Sequence, residues 1–178
     1  MNEAGYAFSF KGIDTHCVDE YQKDALLYSF ESEKSHHTYT VRIERYVNGL
    51  HCIKFFDETD SQGTGSFSHL SSTYEPRRIF RTIVDVALDV LRKNNSASFL
   101  FIGAADGKDV YGLPTRRYRV YKLYLSDFDL REWFERADYE RYSMYALVNL
   151  KAMPTDEERR LFRQQIEDFA GIISSVAE

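Results

Sequence analysis

The stretch 38-TYTVRIERYVNGLHCIKFF-56 carries the strongest local signal in the chain, and the fold class follows from how it is read. Asn48-Gly49 is the dipeptide that tolerates two positive φ angles in a row, as a type I′ hairpin turn demands. A two-residue loop there pairs Val47 with Leu50, Arg45 with Cys52, Ile43 with Lys54 and Val41 with Phe56. That register gathers Val41, Ile43, Val47, Leu50, Cys52 and Phe56 on one face, so turn chemistry and apolar alternation both point to an antiparallel hairpin.

Upstream, 26-LLYSFES-32 alternates Leu26, Tyr28 and Phe30 against Leu27, Ser29 and Glu31, the pattern of a strand with one buried face. Residues 1–25 are the least patterned: Tyr6, Phe8 and Phe10 alternate as in a short strand, and Asp14 to Asp24 reads as a polar connection. Downstream, the loop 57-DETDSQGTGS-66 leads to a short strand near 66-SFSHLS-71. In 79-IFRTIVDVALDVLRKN-94, Ile79, Phe80, Ile83, Val84, Ala87, Leu88 and Leu91 recur at helical spacing. Ser72 or Thr73 is placed to cap that helix, Pro76 suits its first turn, and Asn94-Asn95 ends it. The continuous apolar run 98-SFLFIGA-104 suits a strand covered on both faces, and a polar loop, 105-ADGKDVYGLP-114, follows it.

In 114-PTRRYRVYKLYLSDF-128 three arginines and a lysine alternate with three tyrosines. At about 100° per residue, Tyr118, Val120, Tyr121, Tyr124, Leu125 and Phe128 share one side and Arg119, Lys122 and Ser126 the other, which predicts a helix. Arg117 projects from the apolar side, where a guanidinium needs a carboxylate, a carbonyl or a ring. Arg116 and Arg119 face solvent. Beyond it, 130-LREWFERADYERYSMYALVNL-150 reads as a hairpin of about 131–137 and 142–150, with the first arm open to a helical reading. The last segment, 155-TDEERRLFRQQIEDFAGIISSVA-177, has capping-box spacing at Thr155 and Glu158, and Phe162, Ile166, Phe169, Ile173 and Val176 form a stripe over a helix of 155–176. The expected fold is α+β: one domain over 26–178, with a mainly antiparallel sheet of six or seven strands covered by two or three helices.

Composition narrows the function classes. With 23 Lys plus Arg against 28 Asp plus Glu the net charge is −5, which disfavours whole-molecule steering toward nucleic acid. No apolar run is long enough to cross a bilayer. The first residues, MNEAGYAFSFKG, do not read as a signal peptide, and two cysteines, Cys17 and Cys52, are too few for a disulfide framework, so the expected location is cytoplasmic. The pairs His16-Cys17 and His51-Cys52, with His36, His37 and His69, match no zinc spacing; they read as core cysteine and surface histidine, with no metal. The loop at Asp57, Glu58 and Asp60 fails as a calcium site: with Gly63 sixth, His69 stands where a bidentate Glu belongs. There is no G-x-S-x-G elbow. Gly63-x-Gly65 precedes a strand rather than a helix, so it forms no phosphate cradle.

The element order from about residue 38 to 150, hairpin, strand, long helix, buried strand, second helix, hairpin, resembles the core of the GNAT-type acetyltransferases. In that family a tyrosine-bearing helix follows the buried strand, as 116-RRYRVYKLYL-125 follows 98-SFLFIGA-104. The resemblance implies acetyl-CoA as cofactor and Tyr121 or Tyr124 as general acid. The family's cofactor motif, Gln/Arg-x-x-Gly-x-Gly/Ala, opens the long helix; here 72-STYEPRRIF-80 holds that place and contains no glycine. The segment 115-TRRYRVYKLY-124 is also similar to small bacterial proteins of no assigned activity that carry an arginine just before a Leu/Val-Tyr helix.

The residues together point first to a non-catalytic binding or protein-interaction module of bacterial type. Its expected contact surface for an unknown protein or acidic ligand is Arg77, Arg78, Arg116, Arg117, Tyr118 and Tyr121. The stripe of the last helix reads first as packing onto the domain's own sheet, with a homodimer through Phe169, Ile173 and Val176 as the alternative, because their spacing approaches a heptad. The alternatives are a divergent acyl-CoA-dependent acyltransferase and a nucleic-acid-associated regulator.

Overall fold

The computed structural model describes residues 4–17, 19–58, 75–103 and 109–176, with side chains as far as residue 172. The chain forms two compact units, Met1–Asn94 and Asn95–Glu178. The first contains β1 (Phe8–Asp14), β2 (Gln22–Glu31), β3 (Thr38–Tyr46), β4 (Leu50–Asp57) and the helix α1 (Pro76–Lys93). The second contains β5 (Ser98–Ile102), the helix α2 (Arg116–Ser126), β6 (Phe134–Tyr139), a 3₁₀ turn at Glu140–Tyr142, β7 (Met144–Asn149) and the helix α3 (Asp156–Val176). The class is the expected one, α+β, with seven strands and three α-helices among the described residues. The unit boundary falls at the end of α1, inside the span 26–178, and the first unit also takes in the segment 1–25. The strand expected at 66–71, the glycines at 63 and 65, and the capping residues Ser72 and Thr73 lie outside the described residues.

In the first unit the strands run β1-β2-β3-β4, each antiparallel to the next. The central hairpin forms as expected, but in a different register. Ile43 opposes Ile53, Glu44 opposes Cys52 and Val41 opposes Phe55, one residue away from the pairing that a two-residue turn would set. Asn48 is not at positive φ, whereas Gly49 is at +85°, and the Gly49 N–H donates to Tyr46 O at 3.1 Å. This is a three-residue loop, a turn closed by one left-handed glycine, not the type I′ turn. Asn48 Oδ1 accepts from Leu50 N at 3.2 Å, which helps select it. The slip exchanges faces on β4: Ile53 joins Val41 and Ile43 in the core, while Val47 and Phe56, expected inside, are exposed. Gly49→Ala meets no neighbouring atom within 4 Å, so it isolates the φ cost. The expected loss is about 1 kcal/mol, read as a lower urea midpoint with an unchanged slope.

α1 lies against the sheet face that carries Tyr28, whose hydroxyl donates to Asp89 Oδ2 at 3.0 Å. Its buried stripe of Ile79, Phe80, Ile83, Val84, Ala87 and Leu91 is the expected one, extended by Val86 and Val90, with Leu88 only half-buried. Pro76 occupies the first turn as anticipated, and the N-cap is Glu75. One expected surface histidine is not on the surface: His51 is buried, its Nδ1 2.9 Å from Gly49 O, and burial pushes its pKa down. Cys52 is buried as expected, and burial pushes its thiol up to about 12.

In the second unit β7 lies between β5 and β6, antiparallel to both. The arm open to a helical reading is a strand. The hairpin sits about three residues later than expected at its start, because Trp133 N and Phe134 N both donate to Leu130 O in a turn. Asn149 joins the strand ends: its Nδ2 donates to Asn95 O and Ala97 O, and its Oδ1 accepts from Lys151 N and Ala152 N. α3 carries the expected capping box, with Thr155 N donating to Glu158 Oε2 at 2.9 Å and Glu158 N to Thr155 Oγ1 at 3.2 Å. Arg159 and Arg163 both ion-pair with Glu135 of β6. Its buried face runs Phe162, Ile166, Ala170, so the expected stripe turns onto Ala170, with Phe169 half-buried. The side chains of Ile173 and Val176, needed for the dimer seam, lie outside the described residues.

Candidate interaction surface

The arginine-tyrosine segment forms α2, and its N-terminus is fixed by three elements at once. Thr115 is the N-cap: its Oγ1 accepts from Tyr118 N at 3.2 Å and donates to Gly103 O, at the end of β5, at 2.6 Å. Thr115 N donates to Ser143 Oγ at 3.0 Å, and Gly103 N donates to Ser143 O at 2.9 Å. Ser143, at φ +53°, thereby ties the β6–β7 connection to the helix start. At the other end the Arg136 guanidinium donates to Leu125 O and Phe128 O, capping the carbonyls of the last turn.

The rotation of α2 is set by its tyrosines. Tyr118 is 1% exposed and its hydroxyl donates to Asp138 of β6. Lys122 Nζ lies 2.5 Å from the other oxygen of that carboxylate. Burial, then the bond to Asp138, pushes the Tyr118 phenol up to about 12, so it stays a donor. Tyr121 is also buried, its ring 6.0 Å from that of Phe101. Tyr118 and Tyr121 were expected on the contact surface and are instead core residues, because both rings point into the unit. Both are buried as whole residues, and Tyr124 is half-buried. Arg117 is half-buried, consistent with its place on the apolar side.

The opposite stripe of α2 carries Arg116, Arg119 and Leu123, at the i, i+3, i+7 spacing of one helix face. Arg116 and Arg119 are exposed and form no ion pair among the described residues. Next to them the chain makes a turn at 110–113. Leu113 N donates to Val110 O at 3.1 Å, and Gly112 at φ +80° takes the left-handed third position of a type II turn. Asp109 Oδ1 accepts from Arg116 N at 2.8 Å, which holds the turn against the helix start. Tyr111, at the turn's second position, is 96% exposed, and Val110, Leu113 and Leu123 are 65%, 60% and 62% exposed. Four large exposed apolar side chains thus share this stretch of chain with two exposed arginines that form no ion pair among the described residues. The polar reading of 105–114 missed Val110, Tyr111 and Leu113; three apolar residues between a glycine-bearing loop and Pro114, with no periodic partner, were the available signal.

Arg77 and Arg78 belong to the first unit, on α1. Arg77 is exposed, whereas Arg78 is committed internally. Its guanidinium donates to both oxygens of Glu33 (2.8 and 3.2 Å) and to Ala4 O (3.1 Å), and lies 4.0 Å from the centre of the Tyr6 ring. Arg78 is therefore a strut for the N-terminal segment rather than a contact residue. Three residues before it, Glu75 is buried at the entrance of α1, its carboxylate accepting from Tyr6 OH, Ser32 Oγ and Lys34 N. A helix entrance already facing a buried carboxylate, followed by a proline with no N–H, is a poor seat for a diphosphate.

Among the described residues no group of His, Cys, Asp and Glu is placed to hold a metal ion, and no helix is long and apolar enough to cross a membrane. No family model, no curated protein and no solved structure matches this chain.

Proposed function

We propose that the chain is a non-catalytic protein-interaction module whose contact surface is the turn at 110–113 together with the outer stripe of α2. The observation that carries this reading is the exposure of Val110, Tyr111, Leu113 and Leu123 around Arg116 and Arg119, two cations without a described counter-charge. Contiguous exposed apolar groups rimmed by charge mark interaction sites on soluble proteins, and Tyr and Arg are the residue types that dominate interface energies. The test is site-specific photocrosslinking in the native host, with p-benzoylphenylalanine at position 111, 123 or, as a control, 157 on α3. Protein-sized adducts at 111 and 123, absent at 157 and lost with Arg116→Glu/Arg119→Glu, are expected. Equal labelling at all three positions, or none at 111 and 123, rejects the surface.

A second reading, an acyl-CoA-dependent acyltransferase, draws on the order hairpin, α1, β5, α2, hairpin among the described elements. It must contend with Glu75 and Pro76 at the entrance of α1. A ligand held at about a hundred times its Kd adds about 2.7 kcal/mol of stability. Acetyl-CoA at millimolar concentration is expected to leave the melting temperature where an adenine nucleotide leaves it; a selective rise of several degrees would revive the enzyme reading.

A further inference from the structure

Resting on that contact surface, we infer that its occupant is an acidic, aliphatic segment of a partner protein, with two carboxylates that meet Arg116 and Arg119 and apolar side chains that cover Tyr111, Leu113 and Leu123. The charge of the site favours anions, two guanidinium groups to one carboxylate: Arg116 and Arg119 are exposed and form no ion pair among the described residues, and the neighbouring Asp109 accepts from the backbone N–H of Arg116. Residues three apart on a helix stand about 5–6 Å apart at Cβ. Carboxylates three or four apart on a partner helix match that spacing, as do carboxylates two apart on an extended strand, at about 7 Å.

Successive phosphates of a single nucleic acid strand are spaced similarly, so spacing alone does not choose between the two. The apolar groups do. Val110, Leu113 and Leu123 are aliphatic and offer no face on which a base can stack, and Tyr111 is one ring rather than a platform. Two neutralised phosphates would give a salt slope of only about −1.4 on single strands, against the general repulsion of a chain with net charge −5. A protein segment uses both halves of the site. Apolar contact supplies the affinity, and the arginines at its rim set orientation and exclude basic competitors.

The probe is a random peptide library displayed on phage and panned against the purified whole chain. Enriched sequences are then synthesised and titrated by fluorescence anisotropy. Peptides pairing Asp or Glu with Leu, Ile or Phe are expected, with affinity falling at least tenfold in Arg116→Glu/Arg119→Glu and again in Tyr111→Ala/Leu123→Ala. All four side chains are exposed, so unchanged melting curves confirm that the variants fold. If the enriched peptides lack acids, or bind the arginine variant normally, the acidic partner is overturned. Loss in Tyr111→Ala/Leu123→Ala alone would still leave the surface standing. If no peptide is enriched and labelled oligothymidylate binds instead with a salt slope near −1.4, the occupant is a nucleic acid and the inference fails. Crosslinking at 111 reads whether the surface is covered; the library reads the chemistry of what covers it, so the two can fail separately.

Discussion

Gly103→Ala is expected to destabilise the protein by at least about 3 kcal/mol, the largest loss from any single added methyl group at a described glycine. A Cβ built there lies 2.6 Å from both Thr115 Oγ1 and Tyr118 Cβ, and closer still to Tyr118 N. The nearest of these is backbone, held by the N-cap bond to Thr115, and Gly103 itself is held by Ser143. No side-chain rotation relieves the contact, so β5 and α2 must separate, and overpacking of this kind reaches the top of its usual range of about 1–3 kcal/mol or exceeds it. In a chain of this size that is a fall of roughly 6–12 °C in melting temperature. Gly171→Ala gives the opposite sign. It lies within α3 with nothing within 4 Å of the added Cβ, and replacing an open helical glycine should raise stability by about 0.5–1 kcal/mol. Equal effects from the two substitutions would mean that Gly103 is not the close-packed junction described.

The contrast between those two glycines also shows which parts of this fold were readable in advance. Periodicity located all three helices, because the apolar stripes of α1, α2 and α3 repeat at a spacing that no other local structure shares. The capping box at Thr155 and the inward placement of Tyr118 and Tyr121 follow from the same local rules. Register did not. Asn48-Gly49 is compatible with both a two- and a three-residue loop, and the three-residue form is the one in which Asn48 Oδ1 accepts from Leu50 N, a contact that composition does not encode. The two halves of the contact surface divide in the same way. Arg116 and Arg119 face outward on any helical projection, but the exposure of Val110, Tyr111 and Leu113 depends on Asp109 pinning their turn to the helix. The inward commitments of Arg78, to Glu33, and of Tyr118, to Asp138, join residues 45 and 20 positions apart. Long-range pairing of that kind removed Arg78 from the expected contact surface, whereas the helical projection by itself already turns Tyr118 and Tyr121, two others of the six, away from it.

Glu75 is the second position where one substitution has a large consequence, and its effect should depend on pH. Its side chain is 2% exposed and gathers the Tyr6 hydroxyl, the Ser32 hydroxyl and Lys34 N, joining the N-terminal segment and the β2–β3 turn to the start of α1. Burial by itself would raise this carboxyl; the donors from Ser32, Tyr6 and Lys34 outweigh it and hold the pKa below the ordinary glutamate value. The same carboxylate, after burial, helps push the Tyr6 phenol up to about 12, so the bond persists as a neutral donor to an anion. Glu75→Leu leaves three donors without an acceptor, each costing about 1–3 kcal/mol, and is expected to lose about 4 kcal/mol or more at neutral pH. Glu75→Gln keeps the shape but turns an NH₂ toward a donor, for a loss of about 2 kcal/mol. Because the folded pKa lies below the unfolded one, the carboxylate's contribution is complete above about pH 4.5–5 and is lost as the pH falls through the folded value. The gap between wild type and Glu75→Gln in urea midpoint should therefore be widest near neutrality and close progressively below about pH 4.5. A gap that stays constant from neutrality down to pH 3 would show that Glu75 titrates alike in the folded and unfolded chain, and that the three donors do not favour its anion.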